Sequence, residues 1–142
     1  MSRLVETRTY AAADFSGLER LWQLCFPDDP PHNRASVAIP AKQAMGDDLL
    51  IVAATGDHSI VGSVIAGYDG HRGWLYSVAV DPDWQRRGIG RALIEEALTR
   101  LTGMGCSKVN IQIREGNEAV IAFYSALGFS VEPRTSMGTR IG

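Results

Sequence analysis

An α/β (α+β) fold, with a mixed central sheet and helices on both of its faces, is predicted from two observations. Segments whose apolar residues alternate with polar ones are interleaved with segments whose apolar residues recur every three to four positions, so strands and helices share one core. Three strand-like runs also follow one another through turns too short to hold a helix, which demands antiparallel pairing in that part of the sheet. The predicted order is βααβββαβαβ over a single domain, residues 1–142, an ordinary length for one core.

Each element has its own signal. Residues 3–10 alternate and are rich in β-formers, giving a first strand. Asp14 is the expected N-cap of a helix through Cys25, with Leu18, Leu21, Trp22 and Cys25 on one face. Pro27, Pro30 and Pro31 make the next segment a loop, and residues 34–45 form a short second helix that Pro40 interrupts. The runs 48–55 and 59–68 flank Gly56-Asp57-His58, a hairpin turn, and residues 74–80 form the next strand after a turn at 68–73. Ile89, Leu93, Ala97 and Leu101 define the face of a long helix over residues 89–104, on which Glu96 can pair with Arg100. Residues 107–114 alternate again, Asn117 caps a helix whose face is Val120, Ile121, Tyr124 and Leu127, and further strands are expected at 129–132 and 136–141.

Composition excludes several classes. A hydrophobic content of 45% suits a packed core, and a net charge of −2 without a basic block predicts no nucleic-acid partner. No apolar run nears the roughly 18–20 residues of a membrane helix, and residues 1–6 lack the apolar stretch of a signal peptide. A cytoplasmic protein off the membrane is therefore expected, with Cys25 and Cys106 as free buried thiols and no metal site.

The richest stretch is Gln85-Arg86-Arg87-Gly88-Ile89-Gly90, a glycine-containing turn that feeds a helix N-terminus. Such a turn leaves N–H groups without intrahelical partners at the positive end of the helix dipole, a ready site for phosphate. It is no P-loop, since Arg91-Ala92 follows Gly90, and no dinucleotide fingerprint, since Leu93 stands where a third glycine would be. Arg86, Arg87 and Arg91 read either as anion-binding charge or as a solvated face.

Val78-Ala79-Val80-Asp81-Pro82 followed by residues 85–90, then Asn117, Phe123-Tyr124 and Leu127-Gly128-Phe129, resembles the GCN5-related N-acetyltransferase (GNAT) superfamily along nearly the whole chain. Residues 67–73 further resemble its bacterial YpeA-type branch. The resemblance implies acetyl-CoA as co-substrate, an amine acceptor and no metal; family members often form homodimers through their C-terminal strands. It implies that Val78, Ala79 and Val80 hold the pantetheine arm, in a strand that splays from its neighbour. Gln85, Arg86, Arg87, Gly88, Ile89, Gly90 and Arg91 would cradle the pyrophosphate. Asn117, Val120, Phe123 and Tyr124 complete the cofactor set, and Val120 stands where the family often has a smaller residue.

Catalytic roles follow in part. Tyr124 reads as a core tyrosine by its helical face, and by resemblance as the acid that meets the departing thiolate. The strand position where N-terminal acetylating relatives carry a basic glutamate is Gln112, which accepts no proton. Asp69 and His71 in the 68–73 turn, Tyr76, Glu115 and a relayed water remain as bases. By resemblance the acceptor meets Trp22, Phe26, Asp28, Asp29 and His32. A non-catalytic acyl-CoA sensor is the alternative function.

Overall fold

The computed structural model describes residues 4–142, in two compact units: one ending at Gln112, the other Ile113–Gly142. Met1, Ser2 and Arg3, the last of which was expected to open the first strand, lie outside the described residues.

The larger unit is built on a five-stranded sheet, β1 (Val5–Thr9), β2 (Leu50–Thr55), β3 (Ile60–Tyr68), β4 (Gly73–Val80) and β5 (Val109–Ile111), in that spatial order. The first four pair antiparallel as the meander predicts, and β5 joins β4 in parallel after a helical crossover. β2 is buried along its whole length because both faces are covered. On one face α1 (Phe15–Cys25) and α2 (Ala35–Gln43) set Leu18, Leu21, Trp22, Ala35 and Ile39 against Leu50, Val52, Ala54 and Ile65. On the other lies α3 (Ile89–Gly103), whose predicted face of Ile89, Leu93, Ala97 and Leu101 is buried. Gly62 lets α3 approach β3: a Cβ there would stand 2.9 Å from Leu93 Cδ1 and 3.0 Å from Ile89 Cγ2. The Glu96–Arg100 pair forms at 2.8 Å, and Arg100 also donates to the Thr9 hydroxyl and the Asp48 carbonyl.

The smaller unit contains α4 (Glu118–Ala126), with Tyr124 buried at the centre of its expected face and ring contacts to Phe123 and Phe129.

Several expectations change. Asp14 stands at the α1 N-cap position without capping it, because its carboxylate takes a two-pronged bond from the Arg8 guanidinium at 2.7 and 2.9 Å and the Ala11 N–H at 2.9 Å. A charge-assisted fork outcompetes a single neutral cap. Asn117 likewise occupies its N-cap position with no side-chain cap. Pro40 does not interrupt α2: it lies on the exposed side, where water can satisfy the carbonyl its missing N–H leaves. In the first hairpin the left-handed residue is His58 (φ 66). Cys25 is half-buried rather than buried. β5 is three residues long, and the strands expected at 129–132 and 136–141 do not form among the described residues. Alternation alone does not make a strand: it needs a ladder partner.

Asp14 is 6% exposed, and Arg8 holds its carboxyl below the usual carboxylate range. Removing one partner strands a buried charge, so Arg8→Ala should lower unfolding free energy by about 3 kcal/mol in urea titration. The lowered pKa fixes the sign: this stabilisation is present above the ordinary carboxylate pKa and is lost as pH falls through the folded-state value. In the wild type, the stability gap over Arg8→Ala should close in acid.

Candidate functional site

The site begins where β4 passes beyond its last pairing with β5. β4 pairs with β5 only at Gly73, Trp74 and Leu75, opposite Val109, Asn110 and Ile111. From Tyr76 to Val80 that edge has no strand partner among the described residues, because β5 itself ends at Ile111. On the β3 side the register slips between Ser63 and Ile65, and Ser77 at the slip has φ 48, a β-bulge. Beyond it Ala79 lies opposite Ser63, and the Asp81 N–H donates to the Val61 carbonyl at 2.9 Å. Strand alternation then turns the N–H and C=O groups of Val78 and Val80 toward the free edge. The Cys25 thiol reaches the Val80 carbonyl, with Sγ at 3.6 Å.

β4 runs directly into the phosphate-like turn. The Asp81 side chain accepts the Asp83 N–H and caps a 3-10 turn at Pro82–Trp84. Arg86 (φ 64) and Gly88 (φ 80) are both left-handed, and Gly88 is the N-cap of α3. The first intrahelical bond of α3 is Ala92 N–H to the Gly88 carbonyl at 3.0 Å, so the helix uses none of the N–H groups of Ile89, Gly90 and Arg91. No side chain caps them. The Arg87 guanidinium sits 4.7 Å from the centre of the Trp84 ring, which holds its charge beside the turn. Arg86 is exposed, and Arg91 makes a loose exposed pair with Glu95 at 3.5 Å. The N–H groups of Val78 and Val80 and, past the 3-10 turn, those of Ile89, Gly90 and Arg91 are thus two sets of backbone donors outside the β3 ladder and the helix bonds, with positive charge beside the second.

The 68–73 turn carries Asp69 and His71, both exposed. Asp69 Oδ1 accepts the His71 and Arg72 N–H groups at 2.7 Å each. Those bonds, Arg72's first, hold its carboxyl below the usual range and make it a weak base. Burial, with the Asp69 charge behind it, raises the half-exposed Tyr76 phenol. In the smaller unit Asn117, Phe123 and Glu115 are exposed, Val120 is half-buried, and burial pushes the Tyr124 phenol up to about 12. Gln112 is exposed at the end of the larger unit.

A cavity of about 320 Å³ opens between α1 and the start of α2. Of the five residues that the resemblance sets against the acceptor, Trp22, Phe26 and Asp29 line this cavity, and Asp28 and His32 do not. Its wall adds Glu19 and Gln23, which lie on the polar side of α1, and Arg34, which stands just before α2, so no periodicity had marked them. Trp84 and Ser63 were also missed. The signal for Ser63 was a lone serine inside the apolar run of β3, and for Trp84 an aromatic beside an arginine-rich turn. Among the described residues no group of three His, Cys, Asp or Glu side chains is placed to hold a metal, and no helix is long and apolar enough to cross a membrane.

The model of the family described as Acetyltransferase (GNAT) family matches residues 11–129. An acetyltransferase of Yersinia enterocolitica is 37% identical over 139 residues, covering 96% of both chains. A putative acetyltransferase from Agrobacterium tumefaciens has a TM-score of 0.74 at 25% identity, covering 96% of this chain and 99% of that one. Aminoglycoside N-acetyltransferase AAC(6')-Iy, solved in complex with CoA, has a TM-score of 0.79 at 18% identity over 99% and 97% of the two chains, a likeness of fold. The chain belongs to the GNAT family and is by class an acetyltransferase.

Proposed function

We propose that this acetyltransferase moves the acetyl group of acetyl-CoA directly to a primary amine. The free edge of β4 running into the uncapped start of α3 carries the reading. Pantetheine has two amides in an extended arm, and it would lie beside Val78, Ala79 and Val80 as an added strand. The pyrophosphate would take the N–H groups of residues 87–91, with Gln85, Arg86, Arg87 and Arg91 around it and Gly88 and Gly90 leaving room for close approach. The Val80 N–H would polarise the thioester carbonyl. AAC(6')-Iy, of the same fold, was solved with CoA bound. The family match covers residues 11–129 and so reaches from the larger unit into the smaller, which supports reading residues 1–142 as a single domain; by the resemblance Asn117, Val120 and Phe123 would join the cofactor set.

In the reaction the neutral amine attacks the thioester carbon, the C–N bond forms, and the C–S bond breaks to release a thiolate. Tyr124 would donate to that thiolate. A phenol near 12 facing a thiol near about 8.5 keeps its proton, so it stabilises the leaving group by hydrogen bonding more than by full transfer. Direct transfer suits the cysteines: burial, with the Asp81 charge, raises the Cys25 thiol, and it donates to a carbonyl instead of standing as a thiolate. The amine's proton would leave through His71, with Asp69 shaping the turn that presents it. The acceptor would enter the cavity beside Trp22 and Phe26, where Glu19 and Asp29 suit a cation.

The test is calorimetric titration with acetyl-CoA, then thiol release over a panel of amines. Micromolar binding with release of CoA is expected. Absence of binding overturns the proposal, and binding without release from any amine favours the acyl-CoA sensor, toward which Gln112 and the weakly basic Asp69 point.

A further inference from the structure

The Trp22 indole N–H donates to the Ser63 hydroxyl at 2.9 Å, and that hydroxyl donates to the Ser77 carbonyl at 2.9 Å. Ser63 is 0% exposed and Trp22 3%. We infer that Ser63, held by Trp22, is a positioning residue that fixes the β4 bulge and so the direction in which Val78 and Val80 face. The inference rests on the acyl-CoA reading of β4.

Ser77 gives the bulge no help of its own. An L-residue at φ 48 sits in a left-handed conformation that costs energy relative to extended backbone. Without compensation β4 would straighten and pair with β3 in simple register. A one-residue slip exchanges the edges toward which successive peptide groups point, turning the Val78 and Val80 groups into the β3 ladder. The compensation is visible. The Ser63 hydroxyl spends its one proton on the Ser77 carbonyl and its lone pair on the indole, so two buried side chains, Trp22 and Ser63, have their polar atoms satisfied through the bulged strand. The relay also ties α1 to β4 two residues past the last β4–β5 pair, at Leu75.

Three variants test it by acetyl-CoA titration and thermal melting. Ser63→Ala removes the relay and should raise the acetyl-CoA Kd about tenfold. Ser77→Val changes no buried residue but disfavours the left-handed backbone, and should weaken binding similarly. Adding Ser77→Gly to Ser63→Ala restores tolerance for positive φ and should recover Kd to within about threefold of wild type, although the hydroxyl is still missing. A merely structural serine would lower the melting temperature without this rescue. Should wild type bind while Ser63→Ala and Ser77→Val bind equally well, or should Ser77→Gly fail to rescue, the positioning role is wrong and the acyl-CoA reading stands. Should wild type itself not bind, the reading of β4 falls. If Ser63→Ala does not fold, Ser77→Val against Ser77→Gly in the wild-type background decides alone.

Discussion

Replacing Gly88 with aspartate is expected to raise the Kd for acetyl-CoA at least about a hundredfold while the protein still folds. The reason lies in what surrounds Gly88. A Cβ built there meets no atom within 4 Å, so no clash follows. Its φ of 80 puts any L-residue in the left-handed region, at about 1–2 kcal/mol. That is tolerable in a chain whose α3 is anchored by Ile89, Leu93, Ala97 and Leu101. The carboxylate does two things at once. It sits at the N-cap position and takes N–H groups of the first turn for itself. It also repels the pyrophosphate, at about 1–3 kcal/mol for each pair of unit charges some 5 Å apart. Gly88→Ala carries the backbone strain without the charge, and should cost binding far less. Equal losses from the two variants would show that strain, not anion binding, makes the glycine matter.

The second large effect is expected at Tyr124. Tyr124→Phe should lower kcat by about a hundredfold or more, the range for a positioned proton donor, with little change in the KM for acetyl-CoA. The substitution keeps the ring, hence the edge-on contacts to Phe123 at 5.0 Å and Phe129 at 5.4 Å, so a folding defect should not cloud it. Burial holds the phenol near 12, and a donor must keep its proton. Wild-type activity should therefore show no alkaline loss near pH 10 that disappears in Tyr124→Phe. The same shift has a stability consequence. The folded pKa lies above the unfolded one, so the contribution is whole below about pH 10 and is lost as pH rises toward 12. Unchanged turnover in Tyr124→Phe would return Tyr124 to the role of a core aromatic.

Periodicity revealed most of the fold because most of it is amphipathic. α3 was readable from a single stripe of buried residues, and the β2–β3–β4 meander from short turns between apolar runs. What failed were features set by partners distant in sequence. Asp14 looked like a cap until Arg8 claimed it, and residues 129–132 looked like a strand although no strand forms there among the described residues. The site divides in the same way. The glycine turn and Val78–Val80 pattern were legible because backbone geometry there demands particular residues. The Trp22–Ser63–Ser77 relay was not, because it joins α1, β3 and β4. Nor could sequence say that Asp69 spends its carboxylate on its own turn.

The central claim is that acyl-CoA is held by the free backbone of β4 and the open start of α3. Amide hydrogen exchange, resolved by residue with and without acetyl-CoA, tests it most directly. The account predicts slowed exchange at Val78 and Val80 and at Ile89, Gly90 and Arg91, with the amides already in the β3 ladder, such as Asp81, little changed. Saturating acetyl-CoA that protects other segments and leaves these five amides exchanging as before would contradict it.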